Sequence, residues 1–240
     1  MAVSMSHSSH AASLLTVDLG TAAGFAVLAG AGITVAAPAN STVITGDIGS
    51  HATPTITGLE NLVLTGTNHG GDSVTQGAKT DLMIAYLSAA ARNEDVNYVD
   101  GHVLTGTLFT GVYQSPGSLS LNGALTLDAQ NDPDAVWIFQ MGSSLNVASP
   151  GQINLINGAL ATRVFWQVGS SATLETGANL AGSILASQSI TMKTGSTLNG
   201  RALASIGAVT LGSSTIAIPE PAAPLLATIG LGVIFGLRRR

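Results

Sequence analysis

Few residues of this 240-residue chain have the type and spacing to do chemistry. Asp128, Asp132 and Asp134 crowd one short stretch and could hold a weak calcium ion, but they lack the EF-hand spacing and its closing Glu. A turn built on Asp side chains explains the stretch more simply. His51, His69 and His102 follow no metal-ligand spacing, and His7 and His10 lie in a polar N-terminal tail. There is no cysteine, so disulfides, thiolate metal sites and cysteine nucleophiles are excluded. No nucleophile elbow or other catalytic signature appears. What does recur is Thr-Gly-Ala-Asn at 176–179 and Thr-Gly-Ser-Thr at 194–197, 18 residues further on.

Composition narrows the field. Only 9% of residues are charged, and the net charge of -5 offers no basic face for nucleic acid. Hydrophobic residues make up 45%, too many for a disordered chain, and 29 glycines suit a fold with many tight turns. The Ala-Gly-Ala-Gly at 29–32 completes neither a Walker nor a dinucleotide-binding pattern. The reading is a non-enzyme with no cofactor and no metal.

Elements follow from periodicity. From Val17 to Val63, strand-length apolar runs end at Gly or Pro. Residues 72–93 change period: Val74, Ala78, Leu82, Ala85, Tyr86 and Ala89 form one helical stripe, with Ser73 as the expected N-cap and Asn93 as the stop. Short strands then resume. Leu119, Leu121, Leu125 and Leu127 alternate with polar residues about Asn122-Gly123, which reads as a hairpin or as two strands on successive faces of a coil. The surrounding repeat favours the coil. FQMGSS (139–144) returns as WQVGSS (166–171) at an offset of 27, and GSILAS (182–187) returns as GRALAS (200–205) at an offset of 18. Leu180, Leu198 and Ile216 keep the shorter spacing. Eighteen residues suit one three-strand turn of a β-helix, and the longer offset a coil with a looped insertion. Alternation points Ala172, Leu174, Ile190 and Met192 inward, and Thr173, Glu175, Thr191 and Lys193 outward, with Glu175 and Lys193 as neighbours across coils.

The ends read differently. Residues 1–16 form a tail without a clear signal peptide. Residues 218–240 carry Pro219-Glu220-Pro221, an uncharged segment from Ala222 to Leu237, and Arg238-Arg239-Arg240. This order resembles a PEP-CTERM sorting signal of Gram-negative bacteria. The resemblance implies export, membrane association or processing, and sorting machinery as a partner.

The chain between, 17–217, resembles the ice-binding-like family of microbial secreted proteins. The likeness runs in order through VDLGTAAGFAVLAGAGIT (17–34), ITGDIGS (44–50), LTGTLFTGVYQSPGSLSLNGALTLDAQNDPDAVWIFQMGSSLNVAS (104–149), RVFWQVGSSATL (163–174) and GSILASQSITMKTGSTLNGRALASIGAVTL (182–211). It implies a discontinuous three-sided β-helix, all-β dominated, with one long α-helix packed alongside, and a monomer that binds the surface of an ice crystal. Some members carry Thr-Ala/Gly-x-Thr/Asn on successive coils. Thr176, Gly177 and Asn179 match that pattern, as do Thr194, Gly195 and Thr197; Ser213 and Thr215 continue it, whereas Gly212 departs from the leading Thr. Stacking would set these residues about 4.8 Å apart in columns. Thr65-Gly66-Thr67-Asn68 fits the same string outside the 18-residue register. The competing function is an extracellular structural, adhesive or carbohydrate-binding module, with Trp137, Trp166 and Tyr113 as residues that could stack on sugars, although Trp137 and Trp166 sit within apolar runs that read better as core or semi-buried.

Overall fold

The computed structural model describes residues 14–219. The chain first makes two coils of three strands each: β1 (Phe25–Ala29), β2 (Ile33–Val35) and β3 (Thr42–Thr45), then β4 (Asp47–Ser50), β5 (Ile56–Thr57) and β6 (Leu62–Thr65). After β7 (Asn68–Gly70) it leaves the stack as helix α1 (Ser73–Ala90). It re-enters at the far end with β8 (Val96–Asn97) and β9 (His102–Leu108). From there it climbs back through β10 (Gly111–Ser115), β11 (Leu119–Asp128), β12 (Trp137–Met141), β13 (Leu145–Val147) and β14 (Gln152–Ile156). The climb continues through β15 (Val164–Val168), β16 (Ala172–Leu174), β17 (Asn179–Ala186) and β18 (Ile190–Met192). It ends with β19 (Thr197–Ala204), β20 (Val209–Leu211) and β21 (Thr215–Ala217).

The last coil meets the first. Strands β19, β20 and β21 pair in parallel with β1, β2 and β3, so the two ends of the domain close into one stack. This is the expected discontinuous β-helix. Phe139 pairs with Trp166 across the offset of 27, and the surplus residues form a longer β14 and the loop that follows it. Around Asn122-Gly123 the chain forms one bent strand. Leu119–Leu121 pair with β13 and Ala124–Asp128 with β14, both in parallel, so the coil reading holds and there is no hairpin.

Each side of the coil has a distinct job. The first face, made by β1, β4, β7, β8, β10, β12, β15 and the second halves of β17 and β19, carries α1. Ala78, Leu82, Ala85 and Ala89 of the helix pack on Leu28, Val112, Ile138, Phe165, Leu185 and Leu203. Small alanines bring the helix close to the sheet. Val74, expected in this stripe, is 48% exposed, and Thr75 is buried in its place. The N-cap is Asp72 rather than Ser73: its carboxylate accepts the Thr75 amide at 2.9 Å, and Ser73 is already helical. Inside the coils runs a core of alternating apolar residues, each large one contributing about 1.5–3 kcal/mol on burial. Tyr113, Phe139 and Trp166 stack within it at centroid distances of 5.4 and 4.1 Å.

Candidate functional surface

The second face is the simplest surface on the molecule. Its strands are three residues or fewer over most of the stack, so each inward pair leaves one residue pointing out. In register these outward residues are Thr173, Thr191, Thr210, Thr34 and Thr57, an unbroken threonine column across β16, β18, β20, β2 and β5. Below it the column continues as Asn146 and Ser120 and ends on Val103, which is 42% exposed. Parallel pairing spaces its members by about 4.8 Å. Ala172, Leu174, Ile190, Met192, Val209, Leu211, Ile33 and Val35 are buried behind it. At the corner with the third face the surface carries an ion pair, with Lys193 Nζ 2.6 Å from Glu175 Oε2.

Thr173 and Thr191 were expected to face outward beside this ion pair, and they do. Sequence spacing did not bring in Thr210, Thr34 and Thr57. A signal for them existed: the tripeptides Ala-Thr-Leu, Ile-Thr-Met, Val-Thr-Leu and Ile-Thr-Val at 172, 190, 209 and 33 share one apolar-Thr-apolar form.

The eight candidate positions divide between a corner and the third face. Thr176-Gly177 and Thr194-Gly195 form tight turns between the second and third faces. Gly177 and Gly195 have φ of 74° and 72°, a region that favours glycine. The Gly177 amide donates to Thr194 O at 3.0 Å, and the Gly195 amide to Ser213 O at 2.6 Å. Ser213 Oγ lies 3.0 Å from Ser41 Oγ, so it too belongs to the corner. Asn179, Thr197 and Thr215 stand in register on the third face, as the repeat implied. Their column then runs into Val43 and Val63, which are 37% and 42% exposed. A depression of about 170 Å³, lined in part by Asn179, Thr197, Asn199 and Thr215, breaks the flatness there. Thr65-Gly66-Thr67-Asn68 belongs to another corner: Thr65 ends β6, Asn68 opens β7, and Gly66 is packed on Gly46.

The remaining candidates have internal partners. Trp137 and Trp166 are 0% exposed and Tyr113 is buried, so none of the three can stack on a sugar. Trp166 Nε1 donates to Ala181 O at 2.9 Å, and the Tyr113 hydroxyl to Phe109 O at 2.8 Å. Asp128 accepts from the Gln130 amide and Asn157, Asp132 from the Asp134 amide, and Asp134 pairs with Arg163 at 2.8 Å. These are turn and loop contacts. His102 stacks on Tyr98 at 3.9 Å, and His69 sits between Asp47 (3.3 Å) and Asp72 (3.1 Å). Among the described residues no three His, Asp or Glu side chains converge on a metal position, and no helix is long and apolar enough to cross a membrane. Of the sorting-signal residues, Pro219 is the last one described. Glu220, Pro221, Arg238, Arg239 and Arg240 lie outside the described residues, as do His7 and His10.

Comparison with known proteins decides the family. A model of the family described as ice-binding-like matches residues 27–217. The chain belongs to the ice-binding-like family. It is 39% identical to an ice-binding protein of Nostoc sp. (strain HG1), over 92% of this chain and 87% of the relative. It is 36% identical to an ice-binding protein of Flavobacterium frigoris (strain PS1), over 85% of this chain and 77% of that one. Among solved structures, the ice-binding protein of the Antarctic ascomycete Antarctomyces psychrotrophicus superposes with a TM-score of 0.79 at 37% identity, covering 86% of this chain and all (100%) of the other. An ice-binding protein from an Antarctic biological consortium superposes with a TM-score of 0.80 at 39% identity, covering 86% and 92%. Since these relatives include both bacteria and fungi, they do not favour a Gram-negative source.

Proposed function

We propose that this member of the family binds ice, and that the threonine column of the second face is the surface that does so. One observation carries the choice of face: the unbroken register Thr173–Thr191–Thr210–Thr34–Thr57. Ice is an uncharged repeating lattice, so its receptor must repeat too. Threonine suits the task because its β-branched stem is stiff and little rotamer freedom is lost when water orders against it. The hydroxyl anchors a water while the methyl limits competing hydration. A flat face lets successive anchors meet the lattice together, so weak contacts add. The names of the relatives support the ligand; the geometry supports the face. The reading assigns no catalysis and no cofactor.

The second reading keeps the corner and third face: Thr176, Gly177, Asn179, Thr194, Gly195, Thr197, Ser213 and Thr215. The register of Asn179, Thr197 and Thr215 favours it. Val43, Val63 and the adjoining depression count against it. Paired tyrosine variants separate the two readings. Thr191→Tyr and Thr210→Tyr should remove crystal shaping and slow-freezing activity, whereas Thr194→Tyr and Thr197→Tyr should leave most of it, all four with near-native melting. The reverse outcome moves the site to the third face. Absence of activity in the unmodified protein would favour an adhesive or structural role. An ice-binding surface serves a cell from outside, so we also propose export, with the Pro-Glu-Pro and arginine tail as the sorting segment. Fractionation of the host with and without residues 219–240 tests that separately.

A further inference from the structure

A cleft of about 530 Å³ opens where the C-terminal end of α1 leaves the first face. Its wall is an amide ladder. Gln114, Gln140 and Gln167 stand in register on β10, β12 and β15. One step further up the same column, β17 and β19 carry Leu185 and Leu203, which the helix covers. The column thus changes from leucine to glutamine at the helix end. Gln140 is committed to that end: its Nε2 donates to Ala89 O and Arg92 O, both at 2.8 Å, and its Oε1 accepts from Gln114 at 3.2 Å.

Gln167 is different. It is 7% exposed, lines the cleft, and its amide makes no hydrogen bond to any described residue. Its amide atoms open onto the cleft and so meet water rather than a protein partner, whereas leucine fills the next place in the column. Tyr86 stands at the margin of the cleft as a partly exposed aromatic face. The floor is bare because a side chain at Gly142 would strike Pro116 O, and one at Gly169 would strike Gly142 O.

We propose that this cleft is a second binding site, for a neutral saccharide. No charged residue lines it, so it offers nothing to a carboxylate or phosphate. An apolar ligand would leave the Gln167 amide unpaired. Paired donors and acceptors on stacked amides match vicinal hydroxyls, and Tyr86 offers a face for the C–H side of a sugar ring. The volume accommodates a mono- or disaccharide. The site is separate from the threonine face, so it can fail without affecting the ice reading.

The test is calorimetric titration of the full chain with maltose, cellobiose and N,N′-diacetylchitobiose, with gel retardation by neutral polysaccharides to distinguish free sugar from a polymer end. Binding in the range of about 1 mM or tighter is expected for at least one disaccharide or polymer. Gln167→Leu should weaken it roughly tenfold or more while melting close to the parent. Tyr86→Ala should weaken it, and Tyr86→Phe should retain most of it. Ice activity should be unchanged in all three variants. The proposal is overturned if no saccharide binds the unmodified protein, or if Gln167→Leu and Tyr86→Ala bind as well as it does.

Discussion

Thr210 and Thr34 are register partners on adjacent strands, although one lies near the C-terminal end of the domain and the other near its beginning. The threonine face therefore exists only when the last coil meets the first. Thr210→Tyr places a ring at that junction, where it would hold Thr34 and Thr191 off a flat lattice together. Its loss of ice shaping should exceed that of Thr57→Tyr, which sits at the end of the column. Surface changes of this kind usually stay within about 0.5 kcal/mol, so both variants should melt close to the parent. Microscopy of growing crystals alongside thermal unfolding checks the ranking.

The edge charges should limit that surface. Glu175 and Lys193 are paired at 2.6 Å, but both are partly solvated, so the pair contributes less than about 1 kcal/mol. Replacing both by threonine removes strongly hydrated groups beside Thr173 and Thr191. Recrystallisation inhibition should rise, with a small change in melting temperature. Lower activity in the double variant would mean the pair itself shapes the bound water.

Much of the architecture was legible because stacked coils repeat in sequence. The 18-residue register placed Asn179, Thr197 and Thr215 in one column, and alternation separated Met192 from Thr191. The join between β20 and β2 was not legible, because it couples distant segments whose contact no local period announces. In the sequence the threonine face therefore shows only as Thr173 and Thr191 beside an ion pair, and the corner motif is the stronger local signal. Thr-Gly stood out at 176 and 194 because a positive-φ glycine is a strong local signal, and that signal reports turn geometry. Trp137 and Trp166 were legible as core for another reason: they sit in continuous apolar runs, the pattern of strands buried on both faces.

Two glycines should respond in opposite directions. A Cβ on Gly200 would collide with the Gly182 carbonyl, which is backbone and cannot rotate away. Gly200→Ala should destabilise by about 1–3 kcal/mol. Gly77 is exposed within α1, and its nearest outside atom, Thr21 Oγ1, would be 3.9 Å from a new Cβ. Gly77→Ala should stabilise by roughly 0.5–1 kcal/mol through helix propensity. Denaturant titration of both variants measures the pair.

The start of α1 should carry a pH signature. His69 lies between Asp47 on β4 and Asp72, the helix N-cap, with its ring 5.4 Å from that of Phe25. Burial alone would lower its pKa, but hydrogen bonds to Asp72 and Asp47 and their negative charge together raise it. Asp72 is lowered, chiefly by the Thr75 amide; partial burial opposes this, and His69 adds to the lowering. The signs give a window. A raised histidine stabilises the fold fully below its unfolded value of about 6.5, and that contribution is lost as pH rises through the higher folded value. A lowered aspartate stabilises above its unfolded value of about 3.9, and that contribution is lost as pH falls through the lower folded value. The clamp is therefore strongest between about pH 4 and 6.5, where both groups are charged. His69→Gln should lower stability most in that window and least above the folded histidine pKa. Asp72→Asn should lose the charge on the cap but keep an acceptor for Thr75. Stability curves from pH 3 to 9 should converge at high pH for parent and His69→Gln. A constant offset across the whole range would show that His69 acts through packing on Phe25 rather than through its charge.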